Sequence, residues 1–188
     1  VLPRGTVTVR MRDICARPQR WSQREEQPGS DRDALHEVIA ASVDAEDGGL
    51  VKARGEGDSH FAAFARPSAA VRAAVSIQRH LGEDGVPVRV ALSMGELEPR
   101  DEDYVGVLVN RTARIRNAVH AGQIVCTRPV ADVALPVEGI TVRSLGTHRI
   151  KDIPTPIELL QLCVDGLVAS FPPIRPPNIA TTSLTAGA

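Results

Sequence analysis

The sequence predicts an α+β domain whose first half runs in the order β-α-β-β-α-β. Two alternating, β-branched runs, at Thr6–Met11 and Val88–Leu92, read as strands. Between them, two segments carry apolar residues at helical spacing. A Gly-rich turn separates the short apolar runs Leu50-Val51 and Phe61–Phe64 as a hairpin would. That order is the split βαβ arrangement of a ferredoxin-like sheet with helices on one face. Additional C-terminal strands follow it.

The first strand is expected to end at Asp13, and Arg10 within it is unusual. Burying Arg10 unpaired would cost several kcal/mol, so it must meet a carboxylate or reach solvent. The polar stretch from Gln19 to Asp31, with Pro28-Gly29, reads as a loop. Leu35, Val38, Ile39 and Val43 then mark a helix behind a Ser30/Asp31 cap, stopping at Gly48-Gly49. The hairpin turn is Arg54-Gly55-Glu56-Gly57-Asp58-Ser59. Pro67 suits a first helical turn, and Val71, Ala74, Val75, Gln78 and Leu81 form one face of a helix ending at Gly82.

Beyond the strand at 88–92, a polar loop is expected over 95–103. A helix follows over 105–119, with Val107, Leu108, Ile115 and Val119 as its buried candidates. Short strands are expected at Gln123–Cys126, Ile140–Leu145, His148–Ile150 and Ile157–Cys163. From Phe171 the run Phe-Pro-Pro-Ile-Arg-Pro-Pro reads as a linker. The expected organisation is therefore one domain over 4–166 and a Pro-rich tail over 167–188. The start at Val1 rather than Met, and the linker, fit a piece of a longer protein.

Composition narrows the function. With 43% hydrophobic and 24% charged residues among 188, the chain can bury a core. Lys plus Arg number 22 and Asp plus Glu 23, a net charge of -1 that supplies no field for nucleic acid or an anionic membrane. Aromatics are only 3%, namely Trp21, Phe61, Phe64, Tyr104 and Phe171, which disfavours base-stacking platforms. Cys15, Cys126 and Cys163 are too few and too scattered for a disulfide framework, so a reduced, cytoplasmic setting is expected. No apolar run approaches the roughly 18 residues of a membrane span, and the first residues form no secretory signal.

Two constellations carry chemistry. Asp13 ends the first strand and Asp58 lies in the hairpin turn, so adjacent strand ends could bring their carboxylates together. Such a pair holds Mg²⁺ or Mn²⁺, which take oxygen ligands shared with phosphates. Each Asp alone reads more readily as an ordinary turn or cap residue, and the pair by itself does not overturn that. Asn110 and Arg114, four apart on a helix, place an amide and a guanidinium on one face, with Asp103 just upstream. The alternative is a solvated helix face. Lys151 is either a surface charge or a phosphate clamp.

Together the motifs Gly5-Thr-Val-Thr with Asp13-Ile14, Arg54-Gly-Glu-Gly-Asp58-Ser with Phe61-Ala-Ala-Phe64, Asp103-Tyr-Val-Gly106-Val-Leu-Val-Asn110-Arg-Thr-Ala-Arg114, Gly122-Gln-Ile and Leu145-Gly146-Thr-His148-Arg-Ile-Lys151-Asp resemble a class III adenylate/guanylate cyclase catalytic domain. The pattern is closest to the actinobacterial type that precedes an ATPase and helix-turn-helix (LuxR-type) regulatory region. The resemblance covers about residues 4–175. It implies two divalent metals, Mg²⁺ or Mn²⁺, on Asp13 and Asp58, with the Ile14 carbonyl as an extra ligand. It implies that Asn110 orients the ribose, Arg114 neutralises charge at the α-phosphate and Lys151 binds the triphosphate. Arg54 and Asp103 fall at the base-selecting positions, and an Asp accepting from the adenine amino group favours ATP over GTP. Arg54 departs from the usual Lys. The site is expected at a homodimer interface, with the metal carboxylates of one chain facing Arg54, Asp103, Asn110 and Arg114 of the other.

The phosphate loop departs from the family's Asp-Ile-x-Gly-Ser-Thr. Here it reads Asp13-Ile14-Cys15-Ala16-Arg17-Pro18: Ala16 loses glycine's access to positive φ, and Pro18 removes an N–H donor. Arg10 and Arg12 stand where the family strand is apolar or small. Two readings therefore stay open: an adenylate cyclase, and a degenerate cyclase domain that binds nucleotide or dimerises as a regulatory module without catalysis.

Overall fold

The computed structural model describes residues 2–14, 28–51, 60–83, 86–100, 103–150 and 153–174, and of residues 5–14 and 28–33 the backbone alone. The expected β-α-β-β-α-β order appears as β1 (Gly5–Ile14), α1 (Pro28–Asp44), β2 (Gly49–Val51), β3 (His60–Phe64), α2 (Pro67–Glu83) and β4 (Val88–Leu97). It continues through β5 (Pro99–Arg100), β6 (Asp103–Tyr104), α3 (Val107–Ala118), β7 (Ile124–Thr127), α4 (Arg128–Ala134), β8 (Ile140–His148) and β9 (Ile157–Val164). The main sheet has seven strands in the order β2-β3-β1-β4-β7-β9-β8, and β5 and β6 pair separately. Its first four strands are antiparallel neighbours in the ferredoxin-like arrangement. β7 then adds parallel to β4, with α3 as the crossover between them.

Two cores close on opposite faces of the sheet. On one, Leu35, Ile39 and Val43 of α1, Val71, Ala74, Ile77 and Leu81 of α2, and Val130 and Ala134 of α4 pack against Phe64, Val90, Leu92, Cys126 and Leu160. On the other, α3 sets Ile115 on Ala91, Val125 and Leu159, with Val119 beside it. Leu108 of α3 joins Val51, Ala63, Leu97 and Tyr104. Alternation along β3, β4, β7 and β9 supplies both faces with apolar residues, as expected of strands covered on both sides.

β1 is the exception to this economy. Arg10 pairs with Ala62 and Leu92, and Arg12 with His60 and Val90. Ala62, Leu92 and Val90 are fully buried under α1 and α2. His60 is buried too, its Nε2 3.3 Å from Nδ1 of His36 on α1. The two arginines thus hold ladder positions opposite core residues.

Several elements differ from expectation. α1 begins at Pro28, not behind a Ser30/Asp31 cap; proline is preorganised for a first helical turn, so the dipeptide that reads as a loop starts the helix. The loop expected over 95–103 is largely strand, because β4 stays paired with β1 as far as Leu97 and Arg100 then pairs with Asp103. Val107 is 70% exposed, not buried. It stands about 100° off the buried stripe of Leu108, Thr112 and Ile115. The separate strands expected at 140–145 and 148–150 are one strand, β8, with a register shift between Ser144 and Gly146. At seven residues α4 is too short to show periodicity, and its one sequence signal is a proline in the first turn.

The segment 167–174, expected as linker, lies against the domain. Ala169 O accepts 2.8 Å bonds from Arg143 and Gln161. Phe171 stacks on His120, whose Nε2 is 2.9 Å from Pro173 O. The tail from 175 onward lies outside the described residues. Among the described residues no helix is long and apolar enough to cross a membrane.

Ile77 is fully buried and Val133 is 60% exposed. Ile77→Ala is expected to lower the unfolding free energy by about 3 kcal/mol, and Val133→Ala by less than about 0.5 kcal/mol, measured by urea denaturation.

Candidate active site

The helix α3 starts on a residue only glycine suits. Gly106 has φ 139 and ψ -175, a region essentially closed to side chains, and it turns the chain from β6 into the helix. Its carbonyl accepts the Asn110 N–H at 3.2 Å. Asn110 and Arg114 follow one turn apart, Asn110 exposed and Arg114 half-buried. Val105 and Val107 lie beside them, 49% and 70% exposed. The N-terminal end of α3 thus presents an amide and two valines to the outside.

Asp103 is fixed just before this turn. Its Oδ1 accepts the Tyr104 N–H at 2.6 Å. Tyr104 anchors the hairpin: its ring is buried edge-on to Phe61 at 5.9 Å, and its hydroxyl donates to Pro3 O. Burial, and to a lesser extent the nearby charge of Glu98, push its pKa up to about 12.

Asp13 and Ile14 are the last residues of β1, opposite Arg89 and Val88 of β4. On the other flank Arg12 pairs with His60, the first residue of β3. The structure therefore brings the end of β1 beside the start of β3, the strand that follows the hairpin turn. Arg54, Asp58 and Lys151 lie outside the described residues, as does the loop Cys15-Ala16-Arg17-Pro18. Among the described residues no group of three or more His, Cys, Asp or Glu could hold a metal.

Two arginines stand near these positions that sequence reasoning passed over. Arg89 faces Asp13 across the ladder, which only the strand register reveals. Arg111 follows Asn110 on α3; its Nη2 donates to Met94 O at 3.2 Å, and burial lowers its pKa. The alternation Val88-Arg89-Val90 was the only sequence signal for the first, and Arg111 had none.

Tyr104 is the single tyrosine, so phenolate absorbance at 295 nm reports it alone. It is expected to ionise near pH 12 rather than about 10. Because the folded pKa is raised, this contribution to stability is full below about pH 10 and is lost as pH climbs towards 12. The urea midpoint should fall across that window, less steeply in Tyr104→Phe.

No family model matches the chain. It is similar to the uncharacterized protein Rv0891c of Mycobacterium tuberculosis, 34% identical over 185 residues, covering 97% of this chain and 64% of that protein. Rv1359 of the same organism is 31% identical over 129 residues, 65% of this chain and 51% of that protein. The chain therefore spans less than two thirds of the length of these curated relatives. Among solved structures, an adenylate cyclase of Trypanosoma brucei in its monomeric state superposes with a TM-score of 0.73 at 20% identity, over 91% of this chain and 94% of that one. The adenylate/guanylate cyclase/hydrolase of Silicibacter pomeroyi gives 0.72 at 24% identity, over 87% and 99%. The adenylyl cyclase CyaB of P. aeruginosa gives 0.70 at 19%, over 92% and 98%. With its ferredoxin-like strand order, its crossover helix α3 and these neighbours, the chain has the fold of the class III adenylate/guanylate cyclase catalytic domain.

Proposed function

We propose that the chain converts ATP to cyclic AMP and pyrophosphate at a site shared by two copies of itself. The observation that carries this reading is α3, which presents Asn110 and Arg114 one turn apart behind a glycine-only turn and an anchored Asp103. The exposed Val105 and Val107 beside Asn110 support a partner chain closing over this end of the helix. In such a dimer, the end of β1 from one protomer faces α3 of the other.

The donor set of Asp13, Asp58 and the Ile14 carbonyl is all oxygen, and β1 carries two of its members to the sheet end where β3 starts, so it fits Mg²⁺ or Mn²⁺. Bound there, the ions would supply the positive charge that acidifies the ribose 3'-hydroxyl and screens the triphosphate. Asn110 holds the ribose so that its 3'-oxygen lies in line with the α-phosphorus. The O3'–Pα bond forms as the bond from Pα to the bridging oxygen breaks, pyrophosphate leaves and the hydroxyl proton passes to solvent. Arg114 neutralises the charge that builds on the α-phosphate oxygens. Lys151 grips the triphosphate, and Arg54 and Asp103 read the adenine edge. GTP is disfavoured because its carbonyl would face the Asp103 carboxylate. An ATPase and helix-turn-helix region beyond the C-terminal linker would receive the output.

One feature favours the second reading, a nucleotide-binding regulatory module without turnover: Ala16 and Pro18 remove backbone freedom and a donor from the loop expected to cradle the phosphates.

With Mn²⁺, the purified protein is expected to form cyclic AMP from ATP faster than cyclic GMP from GTP, and Asp58→Ala to form neither. Arg114→Ala should lose about 3 kcal/mol of transition-state stabilisation, roughly a hundredfold in kcat. Mixing inactive Asp13→Ala with Arg114→Ala should restore about a quarter of the wild-type activity, since half of random dimers are mixed and each holds one intact site. Metal-dependent binding of an ATP analogue without product would establish the regulatory module instead.

A further inference from the structure

The helix α3 is pinned to the sheet in layers. A Cβ at Gly95 would lie 3.3 Å from Leu108 Cδ2, so Leu108 sits directly over Gly95. Ile115 packs in one cluster with Ala91 of β4 and Val125 of β7. The helix therefore runs antiparallel to both strands. Four helical residues rise about 6 Å and two strand residues about 6.6 Å. Arg111, one turn before Ile115, consequently stands over Ser93 and Thr127, two residues on from Ala91 and Val125 and on the same face. Its bond to Met94 O, next to Ser93, agrees with that position. Ser93 and Thr127 follow the last paired residues of the ladder, Leu92 and Cys126, and so are neighbours on adjacent strands.

This layer is polar and unsatisfied. Ser93 is fully buried and Thr127 is 2% exposed. Among the described residues Ser93 Oγ, Thr127 Oγ1 and Arg111 Nε are buried without a hydrogen-bond partner, three of the five side-chain atoms in that condition. By the register above, all three fall beneath one helix. No carboxylate among the described residues pairs with Arg111. Burial disfavours its charged form, and among the described residues no acid offsets this. Orphaned buried hydroxyls, and a half-buried guanidinium whose Nε lacks a partner, are costly.

We infer that Ser93, Thr127 and Arg111 form a buried binding site for a small monovalent anion of the chloride class beneath α3. All three groups can donate, and a guanidinium does nothing else. An anion accepts from all of them and supplies a counter-charge that no described residue gives Arg111, whereas a water molecule would supply none. The layers of Leu108 with Gly95 and of Ile115 with Ala91 and Val125 wall the site with apolar groups, which strengthens each bond within it. The occupied site ties α3 to both β4 and β7 next to Asn110, independently of whether the chain turns over nucleotide.

The test is thermal unfolding of the whole chain in sodium bromide or chloride against sodium gluconate at equal ionic strength, with diffraction from bromide-soaked crystals. Tm is expected to rise saturably with halide, and an anomalous bromide peak to lie within hydrogen-bonding reach of Arg111 Nε and Thr127 Oγ1. Ser93→Ala and Thr127→Val should each weaken the apparent affinity roughly tenfold, the loss of one bond to a charged partner. Arg111→Met should abolish the halide dependence; if that variant does not fold, the two hydroxyl variants carry the test. A Tm indifferent to halide, or water density without bromide at the site, overturns the assignment.

Discussion

The close approach of α3 to the sheet at Gly95 is the contact from which the position of the candidate ligand-facing residues follows. Leu108 can descend onto β4 because nothing projects from Gly95, and Ile115, two turns on, fills the corresponding place over Ala91 and Val125. A helix held at two points along its length has its rotation set as well as its height. Asn110 then faces outward, Arg114 lies half-buried, and Arg111 is carried inward over the strands. A side chain at Gly95 would press on Leu108 Cδ2, which would have to give by a few tenths of an ångström.

The centre of the sheet carries the opposite tendency. β1 pairs along its whole length with β4 and also holds β3, so it joins three strands, yet it bears Arg10 and Arg12 at ladder positions opposite core residues. Their ladder partners Ala62, Val90 and Leu92 are fully buried. Stability in this domain is therefore supplied by the flanking layers, with Ala69, Ala70, Ala73, Ala74 and Ile77 of α2 packed without exposed surface. The strand that ends at Asp13 is the least conventional element of the fold. The proposed metal site draws on its last two residues.

Much of this was legible from residues alone. Val71, Ala74, Val75, Gln78 and Leu81 stand at helical spacing and all are buried on α2. Val88–Leu92 alternates and forms the start of β4. The Asn110/Arg114 spacing holds because both lie on one continuous helix. Other features could not be read locally. α4 is shorter than two periods, so burial of Val130 and Ala134 has no sequence signature. The tail from Leu167 to Ile174 is Pro-rich and yet docks, because Ala169 and Pro173 offer carbonyls to Arg143, Gln161 and His120, which belong to distant strands and loops.

By itself the sequence determined the alternation and periodicity that make strands and helices, the β-α-β-β-α-β order, and the carboxylates, amide and guanidinium proposed for nucleotide chemistry. These are local properties, written within a few residues of one another. The tertiary structure decided which strand lies beside which, and with it that Asp13 faces Arg89, that the end of β1 meets the start of β3, and that α3 covers the face opposite α1 and α2. It also decided that Arg111 reaches Met94 O on β4. Such pairings join residues far apart in the chain, and their energies come from packing that no local pattern encodes.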